Sequence, residues 1–324
     1  MKASEFTKLM SAISLLNHHQ RTELIAAFEH SSDEIKTNEL IESAFDTRKA
    51  CPHCACTKLY RHGVVNGLQR YRCQACKKTF NALTKTPLTR LRHKSKWLAY
   101  LNDVIDSLTV RKAACHLGVH RNTTFRWRHR FLTWIKEERP PVLYGITEVD
   151  ETYLPESFKG SRHLSRPPRK RGNSVKKRGL SKEQVCIVVA RDRSKQTLDF
   201  VTGKGSVTKA ALHSCLDSVL DNDALLVSDG NPSYGAFCKE AHITHEVVNL
   251  SQGQRVIDGA IHIQNVNAYH SRFKSWVKNR FHGVATKYLL NYLGWQRVMD
   301  EYKDLNSTMM LNSAIGNFQH LTVT

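Results

Sequence analysis

The sequence predicts a multidomain α+β chain: N-terminal helices, two small basic modules, then a larger α/β domain with a mixed sheet. Three observations predict it. Two Cys-x-x-Cys pairs, Cys51/Cys54 and Cys73/Cys76, are separated by 18 residues. Helical periodicity fills residues 94–136, and strand and helix patterns alternate from residue 146 onward. At 324 residues the chain is too long for one typical domain.

In the N-terminal segment, Phe6, Leu9, Met10, Ile13 and Leu16 recur at helical spacing, as do Leu24, Ile25 and Phe28. His18, His19 and Gln20 interrupt the pattern, so two helices are expected, as a packing or dimerisation module. Residues 31–50 are polar and read as a linker, making residues 1–50 a helical segment plus linker. The start, MKASEFTKLMSAISLL, lacks the apolar stretch and cleavage site of a signal peptide. No apolar run approaches the roughly 18–20 residues of a membrane span. A cytoplasmic chain with no membrane partner is expected.

The net charge of +20 is unevenly placed. Residues 1–50 carry 6 basic and 8 acidic side chains, residues 51–139 carry 19 and 4, and residues 159–182 carry 10 and none. A basic excess confined to two segments is the electrostatic footprint of a polyanion partner.

Residues 51–80 hold both cysteine pairs, and four thiolates at this spacing suit a tetrahedral zinc site. Between them, Gly63–Gly67 reads as a hairpin turn and Gln69–Cys73 as a returning strand, which makes the segment a zinc ribbon. His53 and Cys56 are nearby alternative ligands. The remaining thiols, Cys115, Cys186, Cys215 and Cys238, lie among apolar neighbours and give no disulfide framework.

Residues 94–139 follow as a helical region. One amphipathic helix carries Trp97, Leu98, Leu101, Val104 and Ile105. A second, from Val110, ends in a turn at Gly118, and a third starts near His120. Small Ala113 and Ala114 allow the last two to approach as a helix-turn-helix. The positions expected to be exposed toward DNA are Arg121, Asn122, Thr124, Arg126 and Arg128.

Pro140–Pro141 marks a boundary, and an α/β domain is expected over residues 142–305. Its strands read as Ile146–Leu154, Gln184–Arg191, Gln196–Gly203, Leu225–Ser228 and His245–Val248. Helices are expected near Thr208–Leu220, after Pro232, and from Gln264. Three early strands, a helix, then a fourth strand is the order of an RNase H-like fold, with strands 1 to 3 antiparallel and strand 4 beside strand 1. The segment 159–182, dense in Lys, Arg, Gly and Pro, reads as a mobile phosphate-contacting loop that includes Arg169, Lys170 and Arg171.

That topology brings Asp150, after the run ITEV, beside Asp229, after LLVS. On the last helix, Val266, Tyr269, Phe273 and Val277 form an apolar face; Asn267, His270 or Ser271, and Lys274 form a polar one. Two strand carboxylates and the Asn267 oxygen can converge on divalent cations. Hard oxygen donors suit Mg²⁺ or Mn²⁺, and two such ions about 3.5–4 Å apart drive phosphodiester chemistry. Lys274, two turns on, would face the scissile phosphate. Glu148 and Glu151 are read onto the opposite face of the strand from Asp150, with His262 and Asp258 as alternatives to Asn267.

The order of zinc ribbon, helix-turn-helix, VDETY, VSDG and H-x-x-x-x-N-x-x-x-x-x-x-K resembles bacterial insertion-sequence transposases of the ISXO type, over roughly residues 50–300. These belong to the DDE superfamily with an RNase H-like core. The resemblance implies that Asp150, Asp229 and Asn267 form the catalytic set, followed by Lys274. It implies structural Zn²⁺, catalytic Mg²⁺ or Mn²⁺, and binding of double-stranded DNA at terminal inverted repeats and at a target. It also implies 3′ end cleavage and strand transfer, by a homo-oligomer that is at least a dimer. Asn267 departs from the commoner glutamate, as some branches of the family do. The alternative is a DNA-binding regulator that has lost catalysis.

Overall fold

The computed structural model describes residues 2–167, 179–249, 253, 256, 257, 259–318 and 320. The chain opens with helices α1 (Ala3–Ile13) and α2 (His18–Asp46). The predicted linker is therefore absent up to Asp46. Its polar residues lie on one side of a helix whose other side carries Leu40, Ile41, Ala44 and Phe45. Phe45 packs on Tyr71 and Phe80 at ring distances of 4.8 and 6.0 Å, and Glu42 accepts from the Gln69 backbone N–H at 2.9 Å. Periodicity in four residues is too brief a signal against so polar a background.

Strands β1 (Leu59–Val65), β2 (Leu68–Cys73) and β3 (Thr79–Asn81) form a small antiparallel sheet. Asn66 and Gly67 join the first two with φ of 51° and 74°, both left-handed, as the twist of a two-residue hairpin requires. Helices α3 (Trp97–Ile105), α4 (Val110–His116) and α5 (Arg121–Ile135) follow, the last two joined through Gly118 at φ 59°. Thr109 caps α4 and His120 caps α5. Asp103 of α3 meets His116 of α4 at 2.7 Å.

The α/β domain holds β4 (Ile146–Pro155), β5 (Gln184–Asp192), β6 (Thr197–Lys204), α6 (Lys209–Leu216), β7 (Leu225–Ser228), α7 (Pro232–Ala241), β8 (Thr244–Val247), α8 (Gln264–Trp276) and α9 (Leu289–Glu301). The strand order is β6-β5-β4-β7-β8, with β4, β5 and β6 antiparallel and β7 and β8 parallel to β4. The places of β4, β5, β6 and β7 are those expected from the sequence, which left β8 unplaced. Helix α6 ends four residues earlier than the sequence pattern suggests.

Alternation on β5 explains the layers. Val185, Ile187 and Val189 join the core on the α8 and α9 side, while Cys186, Val188 and Ala190 join the core under α6 and α7. A strand covered on both faces has to be apolar throughout.

The modules on either side of Pro140–Pro141 share one core. Gly294 of α9 passes the end of α5 so closely that a Cβ there would lie 2.3 Å from Lys136 Cα. Buried Arg297 bonds to the carbonyls of Lys136 and Glu138 and to the Asp199 carboxylate of β6. A helix not foreseen from the sequence, α10 (Ser307–Ala314), returns to pack on α2, α3 and α5. No described helix is long and apolar enough to cross a membrane.

Candidate active site and nucleic-acid interface

Strand β7 pairs with β4 only as far as Glu148↔Val227, and it ends at Ser228. Continuing that register sets Asp229 beside Asp150, where the chain leaves the sheet. The turn is built locally. Asp229 Oδ1 accepts from the Asn231 N–H at 3.0 Å, and Asn231 Oδ1 caps α7 at Ser233 N, with Pro232 in the first turn. Such a crevice at the carboxyl ends of parallel strands is where open α/β sheets place their sites.

Asp150, Glu151 and Asp229 each bring a carboxylate oxygen within 4.8 Å of the others. Asp150 and Asp229 are the pair expected from the sequence; Glu151 does lie on the opposite face of the strand, as expected, and its carboxylate nevertheless reaches the other two from that side. Glu151 emerges on the α7 side, where Tyr234 Oη donates to it at 2.5 Å and Asn231 Nδ2 at 2.9 Å. Burial raises the Glu151 carboxyl above its ordinary range; the Asp150 and Asp229 charges add to this, against the bonds from Tyr234 and Asn231. Burial and the Asp150 charge likewise raise the Asp229 carboxyl, against the Asn231 N–H. Acids held together against their own repulsion suit a divalent cation that relieves it.

Glu148 corrects the sequence reading. Two residues before Asp150, it shares that residue's side of the strand, as a period of two demands. It is fully buried and accepts from Val266 N at 3.0 Å and Asn265 Nδ2 at 2.8 Å, at the start of α8. Arg193 pairs with it, and His262 lies 3.2 Å from it. His262 thus belongs to this anchor, and Asp258 lies outside the described residues. Glu148→Ala leaves Arg193 and the helix start unpaired. We expect a loss of about 3–5 kcal/mol, read as a lower urea midpoint, with a smaller loss for Glu148→Gln.

Anchored at Glu148, α8 runs alongside β4 in the same direction. His270 Nδ1 stands 3.5 Å from Asp150 Oδ2. Asn267, half-buried, lies on the same helix face one turn earlier, and exposed Lys274 one turn later. Helix α8 continues into a π-helical turn, Val277–Phe281, closed by Lys159 Nζ donating to the carbonyls of Phe281 and Gly283 at 2.7 and 2.8 Å. Lys159, the first residue of the basic segment, therefore lies at the end of the helix that carries Lys274. Arg169, Lys170 and Arg171 lie outside the described residues.

The four cysteines of the small sheet also converge, Cys51 and Cys76 at 3.7 Å between sulfurs and Cys54 and Cys73 at 3.5 Å. A tetrahedron with Zn–S of about 2.3 Å has edges of about 3.8 Å, so the set fits zinc. The two knuckles repeat one backbone pattern. Ala55 N donates to Cys51 O and Lys77 N to Cys73 O, and both donors have φ 59°. Backbone N–H groups of Cys76 and Ala75 pull the Cys73 thiol down, while Cys54 beside it is pushed up, so of this pair Cys73 is the one held toward the thiolate. His53 lies edge-on to Phe80, and Cys56 Sγ faces the Lys58 carbonyl at 4.0 Å.

On α5 the expected exposure holds for Arg121, Asn122 and Arg126 and fails for Thr124 and Arg128. Thr124 Oγ1 donates to Val110 O at 2.9 Å. Arg128 is 1% exposed, donates to Leu108 O at 2.6 Å, and lies 4.5 Å over the Trp295 ring. Both fall one turn from Trp127 or Phe131 on the inward face, which a charged residue type conceals from a sequence reading. The outward face instead adds Phe125, which is 46% exposed. Its neighbour His129 stacks on Tyr288 at 3.5 Å, so this face borders the α/β domain.

The chain is 28% identical over 249 residues to a protein of Halobacterium salinarum described as "Uncharacterized protein in transposable element ISH50", covering 75% of this chain and 82% of that one. Among solved structures it matches a pre-cleavage Mos1 transpososome at 15% identity, covering 63% of this chain and 75% of that chain, with a TM-score of 0.18. Residues 142–296 match the model of the ISXO2-like transposase domain. Over residues 142–296 the α/β domain of this chain is thus similar to the ISXO2-like transposase domain, and the chain as a whole to a protein of an insertion element.

Proposed function

We propose that the protein is a DNA transposase that binds the terminal inverted repeats of an insertion sequence, cleaves their 3′ ends and joins them to target DNA. The observation that carries this reading is the juxtaposition of Asp150 and Asp229 at the crevice between β4 and β7, within the family-matched domain. The domains are a zinc ribbon over residues 51–80, a helix-turn-helix over 94–139, and an RNase H-like domain over 142–305.

Asp150, Asp229 and the Asn267 side-chain oxygen would hold Mg²⁺ or Mn²⁺, with Glu151 adding negative charge behind them. When bound, the ions activate a hydroxyl nucleophile and stabilise the leaving oxyanion. The chain's own residues do the rest. Glu148 fixes α8 against β4 and so sets the distance from the strand acids to Asn267. Tyr234 and Asn231 hold Glu151 toward the cluster. The Lys274 ammonium neutralises phosphate charge at the mouth of the crevice. Asn267 brings no charge, so Glu151 restores a third carboxylate to the site.

DNA would lie along the basic face. Arg121, Asn122, Phe125 and Arg126 face outward from α5, and the four-cysteine sheet presents Arg61, Arg70 and Arg72. Arg121→Ala and Arg126→Ala should each weaken binding and reduce the slope of log affinity against log salt by about 1. Arg128→Ala should lower stability instead. An unchanged slope in both surface variants would remove α5 from the interface.

A donor-plasmid assay with the gene and its own flanking DNA tests the whole reading. Movement of the flanked segment is expected. Specific binding to the flanks without cleavage or joining would favour a regulator.

A further inference from the structure

One group beside the acids has no part in the scheme above. His270 is only 6% exposed, so it is not a surface residue of α8. Its Nδ1 stands 3.5 Å from Asp150 Oδ2, and its Nε2 is buried without a hydrogen-bond partner. It stands apart from the three-carboxylate cluster but against one member of it. A buried imidazole with one nitrogen unsatisfied costs stability, and an apolar side chain would fill the same space at no such cost. The neighbouring inward positions of α8 are Val266, Tyr269 and Phe273, each apolar or bonded: Tyr269 Oη donates to Asp199 at 3.1 Å. Among the described residues of this face, it is His270 that meets Asp150.

We infer that His270 is a positioning residue for Asp150. With Nδ1 as the protonated nitrogen, it would donate toward Oδ2 and hold the carboxylate plane for a cation taken up by the acids. A metal-binding carboxylate loses affinity when its plane is free to rotate, and partners of this kind alter metal affinity by about 10–100-fold. The helix supplies the partner because Glu148 fixes its start: the same strand face carries the anchor at 148 and the carboxylate at 150. His270 thereby couples the seating of α8, and with it Asn267 and Lys274, to the orientation of Asp150. The inference rests on reading the acidic cluster as a divalent-cation site.

The test measures Mn²⁺ affinity of the full-length protein by the electron paramagnetic resonance signal of free Mn²⁺, without DNA. His270→Leu fills the space and removes the donor; His270→Asn keeps an N–H near the Nδ1 position. The expected result is Mn²⁺ binding weakened about 10–100-fold in His270→Leu and largely retained in His270→Asn. A packing role predicts the reverse order, because a buried Asn packs worse than Leu. Wild-type affinity in a folded His270→Leu protein, or that reversed order, overturns the inference. Mn²⁺ binding by wild type that Asp229→Asn does not weaken overturns the cation-site reading itself, and the inference with it.

Discussion

Asp229→Asn should lower strand transfer on pre-cleaved flanking DNA by about 10³-fold or more while raising the thermal midpoint of the metal-free protein. Both effects have one cause. The Asp229 carboxylate is held beside Asp150 at a half-buried position where its own pKa is raised. Its charge is useful to a cation and costly without one. The pH dependence follows from the same sign. A carboxyl raised in the folded state is protonated and harmless below its unfolded value. As pH rises through the folded value it ionises against Asp150 and the fold loses stability. The metal-free wild type should therefore weaken as pH rises from the carboxylate range toward neutrality. Asp229→Asn should show less of this loss, with a midpoint roughly 2–4 °C higher near neutral pH. Mn²⁺ should stabilise wild type and have little effect on the variant. Equal midpoints together with full activity would remove Asp229 from the site.

Cys73→Ser should release the metal of the small sheet and abolish specific binding to flanking DNA, a loss of at least about 100-fold. The sheet has three short strands and few buried side chains of its own, chiefly Leu68, Tyr71 and Phe80. Structural zinc contributes about 10–16 kcal/mol in small domains of this kind, more than such a core supplies. The damage should spread to α2, because Phe45 packs on Tyr71 and Phe80, and Glu42 bonds to Gln69. Zinc content measured after denaturation should fall from one equivalent to none. Protease cleavage should then appear near residues 40–80 while residues 142–296 stay protected. Unchanged footprinting on the flanks would separate the cysteines from end recognition.

The sequence alone carried the order of β4 to β7, both cysteine pairs, the positions of Asp150 and Asp229, and the helix bearing Asn267 and Lys274. These are signals of local pattern: spacing of thiols, alternation within a strand, and an apolar run that ends in an acid. Three things were decided only by tertiary structure. Arg128 looked like a DNA contact because guanidinium groups are usually solvated; its burial needed Trp295 and the Leu108 carbonyl, from segments far away in sequence. Glu148 and Glu151 both flank Asp150, and only the arrival of α8 on one side and α7 on the other gave one the anchor and the other a place by the acids. Residues 31–46 looked like linker because their few apolar side chains gain partners only from other segments, the four-cysteine sheet and α10 among them. In each case the deciding energy is burial against a distant segment, and no window of sequence contains both partners.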